Sequence, residues 1–187
     1  MLKLVEGKPA PMPLLAVQAF ANTLDVETDT DLLESVDSFQ DWLEEMDMVE
    51  PGVKMRADNL RDARGVRDAL RILLAANTEG RVDKRAVELL AAHQSWRQVN
   101  LTMDGSGGIG LDLSPVTTAY GLPSQLLGIA FQAQVAGTWE RLKLCENPEC
   151  EWAFYDSSRN RSGSWCRMGQ CGNRLKNRAY RRRQSGP

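Results

Sequence analysis

The sequence predicts an α+β protein: a mainly helical N-terminal domain with one β-hairpin over residues 1–140, then a small treble-clef-like module built on four cysteines over residues 141–187. Three observations predict it. Apolar residues recur at helical spacing through most of the first 140 positions. They switch to alternation around a glycine-rich turn between Val99 and Leu113. All four cysteines fall between positions 145 and 171. A hydrophobic content of 42% is enough to pack a core, and 26% charged residues mark a soluble surface.

The elements follow in order. Prolines 9, 11 and 13 predict a stiff extended lead-in. Leu14, Val17, Phe20, Ala21 and Leu24 then recur at helical spacing. Asp25 to Asp31 reads as a solvated acidic connector. Ser38 is placed as the cap of an amphipathic helix with Phe39, Trp42, Leu43 and Met46 on its apolar face. Beyond Pro51-Gly52, the clearest helix runs from Asp58 to Asn77 through Leu60, Ala63, Val66, Leu70, Leu73 and Leu74. A further helix spans Val82 to His93 through Val87, Leu90 and Ala91.

Val99, Leu101 and Met103 form one arm of the hairpin, and Ile109, Leu111 and Leu113 the other. Gly105-Ser106-Gly107-Gly108 turns between them; without the Gly-Lys-Ser/Thr ending of a P-loop it is a turn and not a phosphate cradle. Pro123 opens a last helix of the domain, running to about Leu142 through Leu126, Leu127, Ala130, Phe131 and Val135.

Charge divides the chain. Residues 1–140 hold 12 Lys+Arg against 21 Asp+Glu, a net of −9, whereas residues 141–187 hold 11 against 4, a net of +7. Such asymmetry suggests a basic arm aimed at a polyanion. No signal peptide and no apolar run long enough to cross a bilayer are evident, so a cytoplasmic protein with reduced thiols is expected.

Cys145-x4-Cys150-x15-Cys166-x4-Cys171 gives two thiol pairs, each bridged by a short turn and separated by a hairpin-sized insert. That arrangement suits structural Zn2+ with four protein ligands and no open position for a catalytic water. Trp152, Phe154 and Tyr155 begin a short strand, Trp165 precedes the third ligand, and a helix is expected from about Gln170. The aromatics are expected to build the module's small core, with base stacking the alternative. Fewer than 50 residues bury too little apolar surface alone, so the metal supplies folding energy.

These residues carry a resemblance. Cys145-x4-Cys150 with Trp152 and Phe154, then Asp156, Ser157, Arg159 and Asn160, then Trp165-Cys166 and Cys171-Gly172-Asn173-Arg174, resemble the CGNR zinc finger. In that family the finger follows an N-terminal ABATE domain, which Phe20-Ala21-Asn22-Thr23-Leu24 and the later Leu-Arg-rich helix resemble. The resemblance implies a bacterial, stress-related transcription regulator that binds DNA through its finger. Arg167-Met168-Gly169-Gln170 departs from the family's more familiar Ser-Met followed by small or acidic residues.

The expected function is therefore non-enzymatic: zinc-dependent DNA binding. The nucleic-acid contacts are assigned to Arg159, Arg161, Arg167, Asn173, Arg174, Lys176, Arg178, Arg181, Arg182 and Arg183. Asn173 could equally hydrogen-bond near the metal. The alternative is a protein–protein adaptor whose basic finger docks an acidic partner. A third reading, an enzyme acting on a small anion, has no paired acid–base constellation behind it. Asn22 with Arg61, Arg64 and Arg67 suggests a pocket for a small anionic effector, the alternative being an Asn-Thr helix end and exposed arginines, and a homodimer would offset the small DNA surface of one finger. His93, the only histidine, reads as a polar helix end.

Overall fold

The structure, a computed structural model of the chain, describes residues 7–80, 84–92, 101–103, 105–106 and 108–174. Five α-helices lie in this range: α1 (Leu14–Ala21), α2 (Val36–Glu45), α3 (Ala57–Glu79), α4 (Lys84–Ala92) and α5 (Leu122–Val135). Six short strands make three two-stranded antiparallel ribbons. They are β1 (Leu24–Asp25) with β2 (Thr30–Asp31), β3 (Leu101–Met103) with β4 (Ile109–Leu111), and β5 (Leu142–Leu144) with β6 (Ala153–Tyr155). No helix among the described residues is long and apolar enough to cross a membrane.

The α+β class holds, with several boundaries moved by local chemistry. The acidic connector contains the β1–β2 ribbon. In α2 the cap is Ser35, and Ser38 is its reciprocal partner three residues on: each serine accepts the other's backbone N–H at 3.1 Å. α3 runs on to Glu79, where Gly80 takes the left-handed conformation (φ 72°) and donates to the Ala76 carbonyl at 2.7 Å. On α4 Ala86 is buried, Leu90 half-buried and Val87 exposed; Val82 and His93 lie outside the described residues, as does Val99 in the hairpin. α5 stops at Val135 and not near Leu142, because Gly137 turns left-handed (φ 66°) and a 3-10 turn at Trp139–Arg141 leads into β5.

One apolar core gathers α1, α2, α3 and α5, with Phe20 and Trp42 at 5.6 Å between ring centroids. Leu142, Leu144 and Ala153 belong to this same core. The cysteine-bearing ribbon thus completes the helical layer, and the packing runs continuously across position 140. A second, smaller cluster holds the four cysteines, Phe154, Trp152 and Trp165.

Candidate metal centre and basic surface

The first ligand pair is set by β5 and β6. Cys145 follows β5 directly and donates its N–H to the Trp152 carbonyl at 3.0 Å, which extends the ladder by one step. Between them the chain doubles back at Asn147, whose carbonyl takes the N–H groups of Cys150 (2.9 Å) and Glu151 (3.0 Å). Of the second pair, Cys166 precedes and Cys171 lies within a π-turn, Met168–Gly172, in which the Arg167 carbonyl accepts the N–H groups of Cys171 (3.0 Å) and Gly172 (3.4 Å). At the start of the helix expected from Gln170 the chain therefore takes this wider turn.

The four sulfurs converge, each within 4.8 Å of the others, and all four cysteines are buried. A tetrahedral zinc with bonds of ~2.3 Å sets its sulfurs about 3.8 Å apart. Cys150 and Cys166 stand 3.6 Å apart, and Cys166 and Cys171 3.7 Å. The backbone N–H groups of Asn147 and Cys166 favour charge on Cys145, and that of Trp152 favours it on Cys150.

The protons tell the same story. Hydrogen bonds from Cys150 and Cys166 pull Cys145 far below the ordinary thiol range. Cys150 and Cys166 are pushed above it, first by their bonds to Cys145. Without a cation, thiols this close cannot all ionise; a divalent ion at their centre lets them. The donor set fits structural zinc.

Aromatics seal the centre. Phe154 is fully buried, with the Lys8 ammonium 4.7 Å above its ring and donating to the Trp165 carbonyl at 2.8 Å. Tyr155 instead packs on the helical core. Gly172 explains part of the CGNR run: a Cβ there would stand 2.7 Å from Met168 Sδ and 3.2 Å from the Trp165 ring. Asn173 donates to the Gly169 carbonyl at 3.1 Å, so its amide braces the π-turn beside the metal.

Sequence reading missed a buried polar knot behind the metal. Lys143 Nζ bonds Asp156 Oδ2 at 3.1 Å and also donates to the Arg161 and Gly163 carbonyls. Asp156 further accepts the N–H groups of Ser158 (3.0 Å) and Gly163 (2.7 Å). Burial, which works to raise the Asp156 pKa, is outweighed by these bonds, and the carboxyl titrates well below its usual range. A lysine and an aspartate 13 positions apart give no sequence signal of such pairing.

The cations assigned to nucleic acid separate into three groups. Arg159 and Arg167 lie exposed on the finger, Arg167 with the Gln170 side chain at 3.5 Å. Arg161 and Arg174 are exposed but face carboxylates, Glu140 at 3.1 Å and Glu27 at 2.7 Å. Lys176, Arg178, Arg181, Arg182 and Arg183 lie outside the described residues.

The effector assignment needs correction. Asn22 is buried and fully engaged with Ala153: Nδ2 donates to its carbonyl at 3.0 Å and Oδ1 accepts its N–H at 2.7 Å. Arg64 donates to the Leu33 and Glu34 carbonyls, Arg67 pairs with Asp31, and Arg61 is exposed. These four do not line a common pocket. A cavity of about 280 Å³ beside the α5 N-terminus is walled by hydroxyls and by Glu50 and Asp112, charges that oppose an anion. The connector carboxylates are also more than a solvated loop, since Asp31 holds Arg67 and Glu27 holds Arg174.

Residues 16–133 match the ABATE family, described as "Putative stress-induced transcription regulator", and residues 141–184 match the CGNR zinc finger. No curated protein matches the chain.

Proposed function

Since the chain belongs to the ABATE family and carries a CGNR zinc finger in its last quarter, we propose that it is a non-enzymatic, DNA-binding transcription regulator of the bacterial cytoplasm. The observation that carries this reading is the placement of basic residues on a metal-centred scaffold. Exposed Arg159 and Arg167 sit on the finger, and the chain leaves it directly into a segment with five further cations between Lys176 and Arg183. Four thiolates on zinc contribute about −2, which leaves the region near +5 by formal count. Charge of that density binds phosphates by releasing counterions, so affinity falls log-linearly with salt. The acidic helical part restrains indiscriminate binding and serves as an interaction domain.

A second reading, a protein–protein adaptor, draws on the two finger arginines that already face carboxylates. The same surface would dock an acidic partner.

The deciding measurement is equilibrium binding of full-length, zinc-loaded protein to mixed-sequence duplex DNA across a salt series. Arg181→Ala with Arg182→Ala should weaken binding to every sequence and reduce the salt slope by about two. Absence of binding at low salt, with zinc retained, would put the adaptor first.

A further inference from the structure

An uncharged apolar surface joins the β3–β4 hairpin to α5, and the DNA reading makes no use of it. In the hairpin, Leu101 pairs with Leu111 and Met103 with Ile109, so these four side chains share one face, opposite Thr102 and Gly110. The apolar face looks outward: Leu101 is 69% exposed, Met103 74% and Ile109 71%. It continues onto α5, where a Cβ at Gly128 would touch Leu111 Cδ1 at 3.5 Å and Leu113 Cδ2 at 3.4 Å. Phe131 and Val135 lie on the same helical stripe as Gly128 and are 57% and 75% exposed.

We propose that this surface is the interface of a two-fold homodimer, covered by the same surface of a second copy. Charge selects that occupant. Residues 101–140 contain no lysine or arginine, which disfavours an anionic membrane or nucleic acid on this face. The −9 of residues 1–140 would make most self-contacts repulsive. A two-fold contact lays each patch on its own image, and an uncharged patch escapes that repulsion.

Area agrees with charge. The five exposed residues, each more than half accessible, offer on the order of 600 Å² per copy, near the ~800 Å² per partner of a standard interface. A lone two-stranded hairpin is marginal in water.

Sedimentation and light scattering of the full-length, zinc-loaded chain test this without DNA, and so independently of the DNA reading. The expected result is a concentration-dependent species of twice the chain mass. Met103→Asp and Val135→Asp should each weaken its dimerisation by at least about tenfold, with helical signal and bound zinc unchanged, whereas Thr102→Asp on the opposite face should do less. If either aspartate variant loses its fold, Leu101→Ser with Phe131→Ser repeats the test. A wild-type chain that stays monomeric at every concentration, or dimerisation unaltered in the folded variants, would overturn the proposal.

Discussion

Asn22 on the first helix and Ala153 beside the metal centre, 131 positions apart, are joined by two hydrogen bonds through one side-chain amide. The amide stands in for a neighbouring strand on the side of β6 that β5 does not reach. Gln18, one turn earlier, donates to the same Ala153 carbonyl at 3.1 Å and to Lys8. Replacing Asn22 with alanine leaves the Ala153 N–H buried and unpaired, while its carbonyl keeps Gln18. A loss of about 2 kcal/mol in urea unfolding of the zinc-loaded protein is expected.

Arg71 makes the second tie. Its buried guanidinium donates to the Ala21 carbonyl at the end of α1 and reaches Glu151, next to Cys150, at 3.1 Å. Burial lowers the Arg71 pKa, and Glu151 acts against that shift. Chelation of zinc, or Cys150→Ser, should therefore lower the unfolding midpoint of the helical part as well as loosen the finger. Tryptophan fluorescence and helical circular dichroism followed together should shift together.

Glu27 occupies Arg174 at 2.7 Å. The pair is exposed, so its strength is modest and screened by salt. Glu27→Gln should tighten duplex DNA binding by up to about fivefold at low salt, with the difference fading as salt rises. Fluorescence anisotropy across a salt series reads this directly.

Acid should act on the Lys143–Asp156 knot in a defined direction. The folded carboxyl titrates below its ordinary 3.8. Its contribution is therefore complete above that value and is lost as pH falls through the lower folded one. Asp156→Asn should cost roughly 3 kcal/mol at neutral pH. The gap between variant and wild type should narrow below about pH 4. Comparison of the two cancels the zinc lost by both in acid.

Much of this was legible in the sequence because it is periodic or closely spaced. The α3 apolar stripe, the alternation about Gly105–Gly108 and the four ligand cysteines each declare themselves within a short window. The rest depends on distance. Asn22 reads locally as a polar helix end, and only the fold shows it pairing with Ala153. Arg67 and Arg71 fit an exposed helical face by sequence, yet both are buried, with Asp31 of β2 over the one and Glu151, just past Cys150, over the other. β5 is three residues long, too short to show a period. Phe131 and Val135 fit a core stripe but lie outside, because the core-facing stripe of α5 is Leu122, Leu126, Ile129 and Ala133.

The two-sided bonding of β6 bears on how such a chain can be re-engineered. Transplanted onto an unrelated host, the finger would carry Ala153 with one backbone flank open and Glu151 without its arginine. A workable graft has to bring a helix bearing the Gln18 and Asn22 amides along with the metal-binding loop. The smallest transferable cassette is thus discontinuous: α1, the Arg71 turn of α3, and everything from β5 onward.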